Sequence, residues 1–243
     1  MEQRREPVFI VYNSSKLAQS VCRVLAKEGR DLVFLSLTDK RKDLFVSSLP
    51  KDYGISVEHI WGDFFEQGSS GTVWNWCIKK KISFNNFLIF FEQEIEYFKE
   101  MSSVSEKRSK QIKFNLALVE IVYMFLTQMG ERGRKYLMFI SDPLKQEDLI
   151  QRSLNASCRE FVISFSKVLL KEMSEYNTNL LTMAFDYESC TSGERSERVS
   201  AVMNVLNEDI DTLARKTIAA LFSSESTSVH TIEDIQQLLA GKS

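Results

Sequence analysis

Cysteines, histidines and a lysine at the mouth of a helix are the residues of this chain whose types could do chemistry. The four cysteines, Cys22, Cys77, Cys158 and Cys190, lie far apart with no CxxC spacing, and the two histidines, His59 and His230, are isolated. Structural zinc needs clustered ligands and a disulfide framework needs paired cysteines, so no metal site and no cross-linked scaffold is expected. Free thiols suit a reducing, intracellular compartment. Cys158 on a helix could act as a nucleophile. No His or Lys is expected beside it to take its proton, so an inert buried thiol is the simpler reading. Lys16 opens a helix, where outward backbone N–H groups can hold an anion; the alternative is an ordinary exposed lysine.

The elements that position these residues alternate along the chain. Residues Val8–Gly29 read VFIVYNSSKLAQSVCRVLAKEG, a strand, a short turn and a helix stopped by a glycine. Ser14 or Ser15 can cap that helix, whose apolar positions are Leu17, Val21, Val24 and Leu25. This is the layout of a dinucleotide-binding βα unit without its glycines. Tyr12, Lys16 and Ala18 stand where backbone would approach a pyrophosphate.

Further strands are expected at 31–37, 55–62, 87–91, 135–141 and 179–185. A basic turn, Asp39-Lys40-Arg41-Lys42, leads to a short helix ending near Pro50. Other helices are expected at 71–80, 112–129, 154–173, 208–222 and 231–239, the last with a Thr231–Asp234 capping box. Trp74 and Trp76 cannot share one helix face, so one of them is a candidate contact residue. Residues 101–110 read as a loop or helix start, and 187–198 as a polar, mobile stretch. The alternation predicts an α/β fold: a single Rossmann-like domain, a doubly wound parallel sheet with helices on both faces. It spans 1–243, with 226–243 as a C-terminal helical extension.

With 243 residues, 31 basic against 33 acidic side chains and a net charge of -2, nothing suggests a nucleic-acid or membrane-attracted surface. The apolar run 87–91 is far too short to span a bilayer. The charged N-terminus leads straight into a strand and does not read as a signal peptide, so an intracellular, cytoplasmic location is expected. Only 9 Gly and 3 Pro occur, few for a nucleotide enzyme that needs glycines at phosphate turns.

VCRVLAKEG (21–29), KFNLALVEIVYMFLTQM (113–129) with ERGRKYLMFIS (131–141), and LNASCREFVISFSKVLLKEM (154–173) with NLLTMAF (179–185) follow one another in an order that resembles the short-chain dehydrogenase/reductase family over about residues 7–225. The resemblance implies where the family's motifs fall. Its three glycines fall on Tyr12, Lys16 and Ala18. Its acidic residue facing adenine falls on Asp63. Its Asn-Asn-Ala-Gly stretch falls on Phe90-Phe91-Glu92-Gln93, which would aim two aromatics at the nicotinamide pocket. Its helix-four Asn is kept as Asn115. Its Ser falls on Asp142, or on Ser141 if the register slips by one. Its acid/base Tyr falls on Leu154, its Lys on Cys158, and its Pro-Gly on Phe185-Asp186. Leu154 has no proton to give.

On that basis the expected protein is a catalytically inactive relative that binds no NAD(P) and acts through protein contacts. Its partner would be itself, as a homodimer or homotetramer, or a related subunit. Ile121, Phe125, Phe161 and Phe165 are the candidates for that interface or for the core beneath it, since the resemblance places a four-helix subunit contact on 112–129 and 154–173. Arg159 and Glu160 stand where the family has small residues. Tyr12, Phe90 and Phe91 would fill the vacated cleft. The alternatives are a non-catalytic nucleotide or small-molecule sensor using Ser14, Ser15, Lys16 and Asp63, and an NAD(P)-dependent oxidoreductase with atypical residues such as Asp142 or Cys158.

Overall fold

The apolar runs VFIVY, LVFLS and NFLIF form strands β1 (Val8–Tyr12), β2 (Leu32–Ser36) and β4 (Asn86–Phe90), buried along their whole length. A strand covered on both faces has no polar side to show, hence the unbroken apolar sequence. The computed structural model describes residues 6–12, 14–36, 43–61, 69–91, 103–128, 135–140, 149–172, 178–183, 210–222 and 228–230. The other strands are β3 (Val57–Trp61), β5 (Lys135–Ile140), β6 (Thr178–Met183) and β7 (Ser228–His230). Among the described residues they form one sheet of seven strands in the order β3-β2-β1-β4-β5-β6-β7, with every pair parallel. The order reverses between β1 and β4, which opens a crevice at their carboxyl ends.

Helices α1 (Lys16–Lys27), α2 (Leu44–Tyr53) and α6 (Ile210–Phe222) cover one face of the sheet. Helices α3 (Ser69–Lys80), α4 (Val104–Gln128) and α5 (Leu149–Glu172) cover the other. Alternate strand residues feed the two layers. Val8, Ile10 and Tyr12 enter the α1 side; Phe9 and Val11 enter the α4 side. Leucine, valine and phenylalanine side chains fill both layers, each worth roughly 1.5–3 kcal/mol when fully buried.

Two differences from the expected elements stand out. Helices α4 and α5 begin at Val104 and Leu149, well before the apolar patterns at 112 and 154. Within the expected helical extension 226–243, Ser228–His230 is instead a strand paired with β6. Asp63, Ser141, Asp142, Phe185, Asp186, Cys190, the basic turn 39–42, Glu92 and Gln93, the stretch 187–198 and the capping box at Thr231 and Asp234 lie outside the described residues. So does the side chain of Leu154, whose backbone is in α5. No helix among the described residues is long and apolar enough to cross a membrane. No metal-ligating cluster is found among them either.

Candidate functional site

The crevice between β1 and β4 is bordered by the turn from β1 into α1. Ser15 caps α1: its backbone is extended (φ -67, ψ 159) and its hydroxyl accepts the Ala18 N–H at 3.1 Å. Of the two serines proposed as caps, Ser15 is the one that serves. The first helical N–H groups have no acceptor inside the helix. The first turn of α1 carries no acidic residue, and Lys16, exposed, is its first residue. Cation and N–H groups together favour an anion here.

The turn itself is made by Ser14, at φ 58, a left-handed conformation that glycine adopts more easily. The Ser14 hydroxyl donates to Asp43 Oδ2 at 3.3 Å. Asp43 is the cap of α2, its Oδ1 accepting the N–H groups of Phe45 and Val46 at 2.9 and 3.4 Å. The β1–α1 turn and the start of α2 are thus tied through one carboxylate.

Tyr12 is 2% exposed, with its ring edge-on to Phe34 (5.2 Å) and stacked with Phe45 (6.3 Å). The Arg23 guanidinium lies 5.0 Å from the Phe45 ring centre. The Tyr12 hydroxyl is buried beside Ser14 and Asp43 without a hydrogen bond of good geometry to either. Burial first, then the charges of Cys22 and Asp43, push its pKa far above the usual tyrosine range. Nearby, the Ser36 hydroxyl and His59 Nε2 lie 2.7 Å apart. Burial lowers the His59 pKa, with Asp43 acting in the opposite direction.

On the other side of the sheet, α4 and α5 bring Asn115 and Cys158 together. The Cys158 thiol donates to Asn115 Oδ1 at 3.3 Å and to the Phe91 carbonyl at 3.5 Å. These are the positions that the resemblance assigns to the family's Asn and Lys, and they do converge. Cys22, Cys77 and Cys158 are buried free thiols, as expected.

The structure corrects several sequence expectations. Tyr12 does not protrude into the crevice; it is a core residue of the α1 layer. Phe90 is in that same layer and Phe91 in the opposite one, because consecutive strand residues face opposite ways. Neither is a plug for a vacated cleft. Ala18 is fully buried, so a small residue is required there by packing. Ile121 and Phe125 are core residues of α4, and Phe161 and Phe165 pack partly buried against that core. The exposed apolar side chains of α4 are instead Ile112, Leu116 and Tyr123. Arg159 is buried and Glu160 exposed. Trp74 and Trp76 are both half-buried against the core. Asp43, Ser36 and His59 were not among the expected site residues. The signal for Asp43 was present, an Asp placed directly before the apolar residues Leu44-Phe45-Val46.

No protein-family model matches the sequence, and no curated protein matches it. Solved structures do match. A short-chain dehydrogenase from Streptomyces avermitilis shares 15% identity at a TM-score of 0.66, covering 99% of this chain and 93% of its own. The bulky-bulky ketone specific alcohol dehydrogenase from Comamonas testosteroni shares 13% at 0.65, over 99% and 93%. L-sorbose reductase from Gluconobacter frateurii, complexed with NADPH and L-sorbose, shares 15% at 0.60, over 95% and 97%. The chain has the Rossmann-like fold of the short-chain dehydrogenases/reductases.

These findings overturn two expectations. A cofactor-free chain and a scaffold role were expected from the missing glycines at Tyr12 and Lys16, the lost acid/base pair at Leu154 and Cys158, and the aromatics Tyr12, Phe90 and Phe91 closing the crevice. The side chains turn into the core instead, and the solved neighbours include reductases that work with NADPH on this fold. The residues of the crevice also fit a dinucleotide. Ser14 makes the turn that a glycine would make, and α1 offers its N–H groups and Lys16 to an anion.

Proposed function

We propose that the chain is an NAD(P)(H)-dependent oxidoreductase acting on a carbonyl compound or the corresponding alcohol. The observation that supports this most directly is the β1–α1 turn: a capped helix N-terminus with an exposed lysine, set where the strand order reverses. A bound nicotinamide supplies or accepts the hydride. The N-terminus of α1 and Lys16 hold the phosphates. The family's acid/base position is Leu154 here, so a proton comes from elsewhere. The Cys158 thiol, held by Asn115, is the protic group at the family's lysine position. The neighbours' substrates, L-sorbose and bulky ketones, make ketones the class to assay first.

Titrating the purified chain with reduced dinucleotides, by nicotinamide fluorescence and calorimetry, tests the reading. Saturable micromolar binding is expected, and Lys16→Glu is expected to weaken it about tenfold, roughly 1.4 kcal/mol. A folded protein that binds neither NADH nor NADPH at millimolar concentration would overturn it.

A further inference from the structure

The oxidoreductase reading leaves the outer surface of α4 without a role. Among the described residues, the exposed large hydrophobic side chains are Leu44 and Ile78, each on a separate helix, and Ile112, Leu116, Tyr123 and Val168. Ile112, Leu116 and Tyr123 belong to α4 and are 60%, 59% and 66% exposed. With the half-buried Val119 between them, they recur at intervals of four, three and four residues. That is the spacing of the apolar seam of a coiled coil, whose residues face a second helix. The opposite side of α4, with Phe114, Leu118, Ile121 and Phe125, already faces the core, so the seam is a second apolar face on one helix. Charge borders the seam on one flank. Lys113 and Glu120 follow Ile112 and Val119 by one residue and are exposed. On the other flank, Asn115 and Val122 precede Leu116 and Tyr123 and turn inward. Asn115 accepts the Cys158 thiol, and Val122 is fully buried.

We infer that this stripe of α4 packs antiparallel on the same stripe of a second copy of the chain. The flank charges decide both the occupant and the direction. In a parallel pair the charged flank of one helix meets the opposite flank of the other, here an amide and an apolar side chain. In an antiparallel pair like flanks meet. A two-fold axis passing between Leu116 and Val119 sets Leu116 against Val119 of the partner subunit, and Ile112 against Tyr123 of the partner subunit. The same register sets Lys113 beside Glu120 of the partner subunit, and by symmetry Glu120 beside Lys113 of the partner subunit. A base and an acid on one flank thus answer each other across the axis, and no like charges face. The Ser70 hydroxyl donates to Glu120 Oε2 at 2.6 Å, which steadies the carboxylate and leaves it acceptor sites for an ammonium. The seam from Ile112 to Tyr123 is about 16 Å long. Self-pairing removes both copies' exposed stripes from water at once. The inference stands independently of the dinucleotide reading.

Sedimentation velocity of the purified full chain, over a concentration series, tests this. The parent is expected to sediment as a dimer at micromolar concentration. Leu116→Glu changes an exposed side chain, so the fold is expected to survive, checked by circular dichroism, while association weakens at least about hundredfold. Lys113→Glu brings like charges together at both pairs and is expected to weaken association about tenfold. Adding Glu120→Lys to it restores opposite charges and is expected to return the dissociation constant to within about threefold of the parent's. A parent that stays monomeric at about 100 μM, or a Leu116→Glu chain that dimerises as the parent does, overturns the inference. A double variant that associates no more tightly than Lys113→Glu alone overturns the antiparallel pairing, and the inference with it.

Discussion

The Thr182 hydroxyl donates to Ser166 at 2.8 Å, and Ser166 in turn donates to the Val162 carbonyl at 2.7 Å. Both hydroxyls lie in the core, with neither residue exposed to solvent. The pair pins β6 to α5. Its two members are not equivalent. Ser166→Ala leaves the Thr182 donor buried and unsatisfied, costing about 1–3 kcal/mol. Thr182→Val removes that donor while Ser166 keeps its bond to Val162, costing about 1 kcal/mol. Urea denaturation should therefore rank Ser166→Ala as the less stable variant. The reverse order would mean that Thr182 finds another acceptor. At this scale the sequence was legible in part. Ser15 caps α1, one of the two serines expected to do so, whereas the contact of Cys158 with Asn115 was not foreseen. Tyr12, Phe90 and Phe91 were misplaced for a physical reason. In a strand buried on both faces, every residue is apolar, so the pattern does not say which layer a given side chain enters.

Helix ends were harder to read than helix middles. The helix α4 starts at Val104 because Ser103 accepts the Glu106 N–H at 3.2 Å, a cap ahead of two polar turns that carry no core-facing period. The end of α3 shows the opposite problem. Lys81 closes it in a left-handed conformation (φ 55), with its N–H bonded to the Ile78 carbonyl and the next N–H, of Ile82, bonded to Cys77. That pattern normally takes glycine, because a Cβ is disfavoured there by about 1–2 kcal/mol. Lys81 is exposed, so glycine removes little packing. Lys81→Gly is expected to stabilise the chain by about 1 kcal/mol, or roughly 2–4 °C in melting temperature for a domain of this size. A lower melting temperature would show that the lysine side chain contributes more than its backbone strain removes. The strands, by contrast, were legible from the alternation of elements, and β1 to β6 fall close to their expected spans.

The whole molecule keeps several titratable groups neutral in its core, and this sets the pH range of its stability. Burial pushes Cys77 up to about 12, and Cys22 and Tyr12 higher still. In the unfolded chain thiols and phenols ionise between about pH 8.5 and 10. Above that onset the unfolded state binds fewer protons than the folded one, so stability falls as pH rises. His59 acts at the other end: its lowered pKa means that the unfolded chain protonates first, and stability falls as pH drops below about 6.5. Urea midpoints should therefore be highest between about pH 6.5 and 8.5 and should drop by about pH 9.5. An unchanged midpoint at the alkaline end would mean that the buried thiols and phenol titrate normally.

The last helix in the described chain packs on the first. The Ser20 hydroxyl donates to Asp211 at 2.7 Å, Arg30 lies over the Phe222 ring at 4.0 Å, and Ala214 and Ile218 share a core layer with Val21 and Leu25. A ribosome delivers α1 long before α6. Throughout synthesis the apolar side of that first helix waits without its cover, a long-range contact that cannot nucleate early. The emerging chain thus passes through a stage that is sticky by construction, and holdase chaperones have a defined surface to protect until the C-terminal segment arrives.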